Sequence, residues 1–185
     1  MLNSLLDNPT AAATGLFALI CLSVWPLFRS RSGILLVQLG AGIGFACHYA
    51  LLDMAAPSLV NVLGAVQTLA ALFARRSTAL NKIGYVLIPL MIGAGIYFWS
   101  GPTSALCVAA MGLIALGRMQ DNQSALRLLI LAGGVFWSVH DYLVESWIAL
   151  TADVLSLAIG LAMLASMAVV PTARPRFAVS RIASA

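Results

Sequence analysis

The sequence predicts an all-α, polytopic membrane protein with seven transmembrane helices in a 3+1+3 parallel repeat. Three observations predict it. Of 185 residues, 62% are hydrophobic and 9% charged; soluble domains run about 45–50% and about 25%, so charge is too scarce here to cover a water-facing surface. Every lysine and arginine falls beside alternate connections between apolar runs. The chain also resembles itself when shifted by 92 residues. This composition excludes a soluble globular enzyme, a disordered chain and a coiled coil. It also argues against a nucleic-acid partner, despite the net charge of +4.

A spanning helix needs about 20 mostly apolar residues. Seven runs qualify: 10–28, 33–52, 56–74, 83–99, 103–118, 125–144 and 147–170. No basic residue precedes the first, so it reads as a retained span and not a cleaved signal. Arg29 and Arg31 separate spans 1 and 2. Asp53 marks the turn into span 3. Arg75, Arg76 and Lys82 fill the connection to span 4. Span 5 is short, and Gly101-Pro102 sets its start. Arg118 and Arg127 flank the connection to span 6, and Glu145 the turn into span 7. Arg174, Arg176 and Arg181 follow span 7. All 10 basic residues thus share one side, and Asp7, Asp53 and Glu145 the other. Lys and Arg translocate poorly, which predicts a multi-pass inner-membrane protein with its N-terminus out and its C-terminus cytoplasmic. Trp99 and Trp147 are expected as anchors at the outer boundary. Pro26 and Pro89 are expected to kink their spans. Gly40, Gly42, Gly44, Gly133 and Gly134 are expected to let backbones approach. Cys21, Cys47 and Cys107 read as packed thiols.

The shift of 92 brings polar landmarks into register: Ser32 with Ser124, His48 with His140, Asp53 with Glu145, Asn61 with Asp153, and Phe45 with Trp137. Spans 1–3 match spans 5–7, and the single span 4 restores the sense of the second triplet. The organisation expected is a first triple-helix repeat over 1–76, a linker helix over 77–100, a second repeat over 101–170 and a cytoplasmic tail over 171–185. Such repeats are a transporter device, with the site at their interface.

Trp25-Pro26, Arg31-Ser32-Gly33, Phe45-x-x-His48-Tyr49 and Asn61 resemble a unit of the PQ-loop (MtN3/SWEET) superfamily. Phe45 to Asn61 and Trp137 to Asp153 are each 16 residues, the superfamily's aromatic-to-Asn spacing. Within that group the chain resembles the YgjV-type bacterial inner-membrane proteins. The resemblance implies a SWEET-like fold and an alternating-access pathway for a small-molecule solute. Four departures move the expected solute away from a neutral sugar. Leu27 replaces the Gln after Pro26, Arg118 replaces the second Pro, Phe45 replaces a Trp, and Asp153 replaces an Asn.

Ionisable groups inside spans are costly and default to functional candidates. Phe45 and Trp137 are read as apolar platforms for a ring-shaped solute, and Asn61 and Asp153 as its polar contacts. The same four residues also fit a structural Asn–Asp hydrogen bond with packing aromatics. His140, Asp153 and His48 form a possible proton relay. His140 fits a satisfied histidine near the headgroups equally well. Asp141 is expected to be solvated. Two readings compete with transport: a scaffold or regulator whose centre is filled with side chains, and a haem protein using His48 and His140 as axial ligands. The favoured reading needs no cofactor and no metal. No H-E-x-x-H or G-x-S-x-G motif marks an enzyme. The lone lysine, Lys82, excludes a retinal Schiff base in span 7. The chain needs only a lipid bilayer and its solute as partners, and homo-oligomers are left open.

Overall fold

Polar caps and prolines set the helix starts. In the computed structural model, which describes residues 8–99, 101–145 and 147–169 (backbone alone at 55, 56, 147, 148, 168 and 169), seven α-helices follow one another. Helix α1 spans Pro9–Val24, α2 Arg31–Leu51, α3 Ala55–Phe73, α4 Thr78–Tyr97, α5 Pro102–Met119, α6 Gln123–Leu143 and α7 Trp147–Val169. Asn8, Ser30, Ser77 and Asn122 each accept a hydrogen bond from a backbone N–H of the first turn of α1, α2, α4 and α6. Pro9 and Pro102 open α1 and α5, where the missing N–H costs nothing. At the opposite ends of α2 and α6, Asp53 and Glu145 adopt left-handed φ values of 56° and 55°, uncommon for residues other than glycine.

Five segments are long and apolar enough to cross a membrane: Pro9–Leu27, Arg31–Leu51, Thr78–Tyr97, Pro102–Met119 and Ala149–Met167. Pro57–Phe73 is apolar but shorter. Helix α6 is outside this group despite its 21 residues, because it carries Arg127, His140 and Asp141. Of the seven expected spans, five are thus matched by helices that qualify by length and composition. The burial pattern accounts for α6. Its outward residues Leu128, Val135 and Val139 are exposed and apolar, whereas Arg127 and Asp141 are buried. Across the molecule the pattern of a soluble protein is inverted. Leu16, Ile20, Leu36, Val86 and Leu161 face outward, while Gln38, Gln67, Thr68, Asp153 and Ser156 are buried. Apolar exposure on this scale is a lipid-facing surface.

Helices adjacent in sequence pack together, and α1 closes the ring against α7. Helix α3 also packs on α5, so α4 stands outside and bridges the two. The core runs through Ile34, Leu35, Ala71, Ile88, Met111, Leu126 and Ile130. Buried Trp25 donates from its indole to Ser156 Oγ at 2.9 Å and seals α1 to α7. Gln67 donates to the Ala115 carbonyl at 3.0 Å and joins α3 to α5.

Several local expectations change. Pro26 does not kink a continuous span: α1 stops at Val24, and Pro26 lies in a buried 3-10 turn over Trp25–Leu27. Helix α4 does run through Pro89. It starts five residues earlier than expected, so Lys82 sits in it and not in a loop. Cys47 is exposed on the outer face. The Trp147 side chain, Asp7 and the tail arginines Arg174, Arg176 and Arg181 lie outside the described residues. Two of the glycines expected at close crossings are required there. A Cβ on Gly44 would come 2.9 Å from Ala18 Cβ, and one on Gly133 would come 2.9 Å from the Ala110 carbonyl oxygen. The second neighbour is backbone of α5 and cannot swing away. Gly133→Val is therefore expected to destabilise the protein by about 2–3 kcal/mol through overpacking, read as a lowered melting temperature in detergent.

At the basic end, Arg75 Nε donates to Asp121 Oδ1 at 2.6 Å, with both side chains exposed. The Arg75 guanidinium holds the Asp121 carboxyl below its usual range. The pair's contribution is therefore complete at neutral pH and is lost as pH falls through that lowered value. Exposed pairs contribute little, so Asp121→Asn is expected to cost under about 1 kcal/mol in thermal unfolding, and less at high salt.

Candidate functional site

A cavity of about 470 Å³ lies inside the ring, bounded by α2, α3, α4, α5 and α6. That volume suits a small-molecule ligand. Toward the end bearing Asp53 and Glu145, Met54, Phe98, Thr103 and Val144 line it. Its floor is Arg118, with Met91, Met111, Ile114 and Gly64 around it.

Arg118 was read from the sequence as a connection residue. Instead it belongs to the last turn of α5, about 24 Å along the helix from Pro102. Helical side chains lean toward the N-terminus, which carries its guanidinium back into the cavity. There Nε donates to Gln38 Oε1 at 2.9 Å and Nη1 to the Gly64 carbonyl at 3.4 Å. Both partners are neutral. Among the described residues no carboxylate forms an ion pair with Arg118.

Below Arg118 the basic end is latched by two further arginines. Arg31 opens α2 and is buried. It donates from Nε to the Gln120 carbonyl at 2.8 Å, from Nη1 to that of Ala71 at 3.0 Å, and from Nη2 to that of Arg118 at 2.8 Å. Arg127, 1% exposed on α6, donates from Nη1 to the Pro26 carbonyl at 2.8 Å and from Nη2 to that of Phe28. Gln123 adds a bond to the Arg29 carbonyl. Each arginine binds carbonyls at or just past a helix end, Arg31 those of α3 and α5 and Arg127 those that follow α1. The sequence marks both as topology signals and Arg31 also as part of the Arg31-Ser32-Gly33 motif, without indicating these bonds.

The wall nearer the Asp53 and Glu145 end carries a chain of titratable groups. His140 lines the cavity and donates from Nδ1 to Asp141 Oδ1 at 3.0 Å. Asp141, expected to be solvated, is 6% exposed, because α6 turns this face toward α7. The carboxyl groups of Asp141 and Asp153 lie close enough to interact with each other. A carboxyl pair of this kind needs a proton between its members.

The residues selected from sequence divide accordingly. Asn61 and Trp137 line the cavity, whereas Phe45 and Asp153 stand behind it. Asn61 donates from Nδ2 to the Pro57 carbonyl at 2.9 Å. Phe45 stacks on Tyr49, with ring centroids 6.1 Å apart, and it is Tyr49 that reaches the cavity. The two are four residues apart on one helix face, so helical spacing alone could have nominated Tyr49. Trp137 meets His140 edge to face at 5.4 Å. His48 is not among the lining residues. Buried beneath α1, it donates from Nδ1 to the Ala11 carbonyl at 2.7 Å and fills the space left by Gly15. It therefore faces α1, and not His140 across a shared space as a haem pair would. Among the described residues no group of three or more His, Cys, Asp or Glu side chains is placed to hold a metal ion.

Comparison with the curated proteins and with the solved structures gave no match. A family model does match residues 10–168, a stretch that takes in all the helices except the ends of α1 and α7. The lipid-facing apolar surface agrees with its description, and the chain belongs to the Imp-YgjV family of bacterial inner membrane proteins.

Proposed function

We propose that the protein is a carrier, not an enzyme, that moves a small polar solute across the bacterial inner membrane by alternating access. The observation that carries this reading is the cavity, together with the Arg31 and Arg127 bonds that tie helix ends together at its Arg118 end. A scaffold that kept the fold would have that space filled with side chains.

A 3+1+3 repeat underlies the reading. Helices α2 and α6 both have 21 residues, begin 92 positions apart, and are capped by Ser30 and Asn122. The left-handed residues Asp53 and Glu145 are again 92 apart. So are the latched carbonyls, Pro26 with Arg118 and Phe28 with Gln120. The α1–α7 and α3–α5 contacts exchange under the same shift. These correspondences support two like-oriented halves, as in a SWEET-like carrier, with α4 as linker. The basic end faces the cytoplasm, so the cavity opens outward. The solute lies against Trp137 and Tyr49 with Asn61 within reach, and His140, Asp141 and Asp153 relay a proton.

Cys107 lines the cavity and provides the test. In a Cys21→Ser, Cys47→Ser background, a membrane-impermeant maleimide is expected to label Cys107 rapidly in right-side-out vesicles. It should label slowly but completely in inside-out vesicles, as the halves rock. Permanent protection in the inside-out vesicles would contradict a carrier.

A further inference from the structure

We infer that the solute is a small monocarboxylate with an apolar or aromatic body, bound with its carboxylate on the Arg118 guanidinium at the cavity floor. The inference rests on the carrier reading and names its substrate class.

A guanidinium turned from a helix end into a protein cavity gives up hydration, which is costly unless an anion pairs with it. Arg118 has only the Gln38 amide oxygen and the Gly64 carbonyl as acceptors. Neither returns a full charge, and the guanidinium borders the cavity. An entering carboxylate supplies the missing charge and matches the planar donor fork. A single arginine balances one negative charge, which favours a monoanion over a phosphate ester. Around it Met91, Met111, Ile114 and Trp137 offer apolar contact, so the body of the solute is apolar. Asp141 also lines the cavity, at the end away from Arg118, where it engages His140 and Asp153. Arg118 also joins α5 to α2 and α3. A carboxylate that draws the guanidinium off Gln38 and Gly64 therefore loosens the floor, and binding is coupled to opening.

The experiment is a thermal-shift and calorimetric comparison of purified protein with matched probes: hexanoate and hexanamide, benzoate and benzamide, phenylacetate and phenylacetamide. At least one acid is expected to stabilise the protein while its amide does not. Arg118→Gln is expected to weaken that acid by about 30-fold or more, and Arg118→Lys by less. Amides that bind as well as their acids, no stabilisation by any acid, or unchanged binding to Arg118→Gln would each overturn the inference. The acid–amide comparison on the unaltered protein stands even if the variants fold poorly. Acid binding with Cys107 sealed from the basic side would refute the carrier and keep the anion site. Cys107 labelling from both sides without acid preference would do the reverse.

Discussion

Arg127→Ala is expected to destabilise the protein by about 3 kcal/mol and to open the basic end of the cavity. Arg127 makes two charge-assisted bonds to carbonyls at the end of α1, and bonds to charged groups contribute about 1.5–3 kcal/mol each. Releasing a buried guanidinium from its desolvation cost offsets part of that sum, since its Nε finds no acceptor. Arg127→Lys should fall between, because an ammonium is a point donor and cannot span Pro26 and Phe28. Arg31→Ala should cost a similar amount, with three carbonyls released. The double variant should lose less than the sum, because both latches close the same interface. Unfolding in detergent measures these differences. Cys107 labelling from the basic side should rise about tenfold or more in either single variant, as the closed population shrinks. A variant that melts and labels like the parent would remove the latch from the account.

Asp153→Asn is expected to leave stability near that of the parent but to abolish solute accumulation driven by a proton gradient, by about 100-fold or more relative to a passive exchange control. The asparagine amide can donate to Asp141, so packing survives. What disappears is the exchangeable proton between the two carboxyls. The titratable groups near this pair are His140 on α6, Tyr49 on α2 and Cys107 on α5; all three line the cavity with Asp141, and His140 is the one hydrogen-bonded to it. His140→Gln should therefore flatten the same pH profile, whereas Asp153→Ala should also lose stability by leaving a buried gap. Counterflow, which moves solute without a gradient, should persist in Asp153→Asn. Equal loss of counterflow and of gradient-driven uptake would make Asp153 a structural residue and end the relay.

The candidate site was partly legible. Trp137 and Asn61 stand out as an aromatic and an amide inside apolar runs, and both line the cavity. Phe45 and Asp153 stand out equally, yet they sit one layer behind, because intramembrane polarity marks a residue without stating which neighbour it faces. Asp141 looked like part of a wet boundary, and the packing of α6 on α7 buries it. Arg118, Arg31 and Arg127 looked like loop charges.

The sequence by itself determined the seven helices, their order and the family. Burying an apolar run and keeping cations out of the bilayer are transfer energies, summed along the chain without knowledge of neighbours. Only the tertiary structure decided that α6 buries Arg127 and Asp141 behind an apolar outer face, that Arg31 and Arg127 bind the helix ends at the basic end, and that Arg118 borders the cavity. Those outcomes depend on which way a side chain leans and which helix end lies opposite, and a one-dimensional hydropathy carries neither.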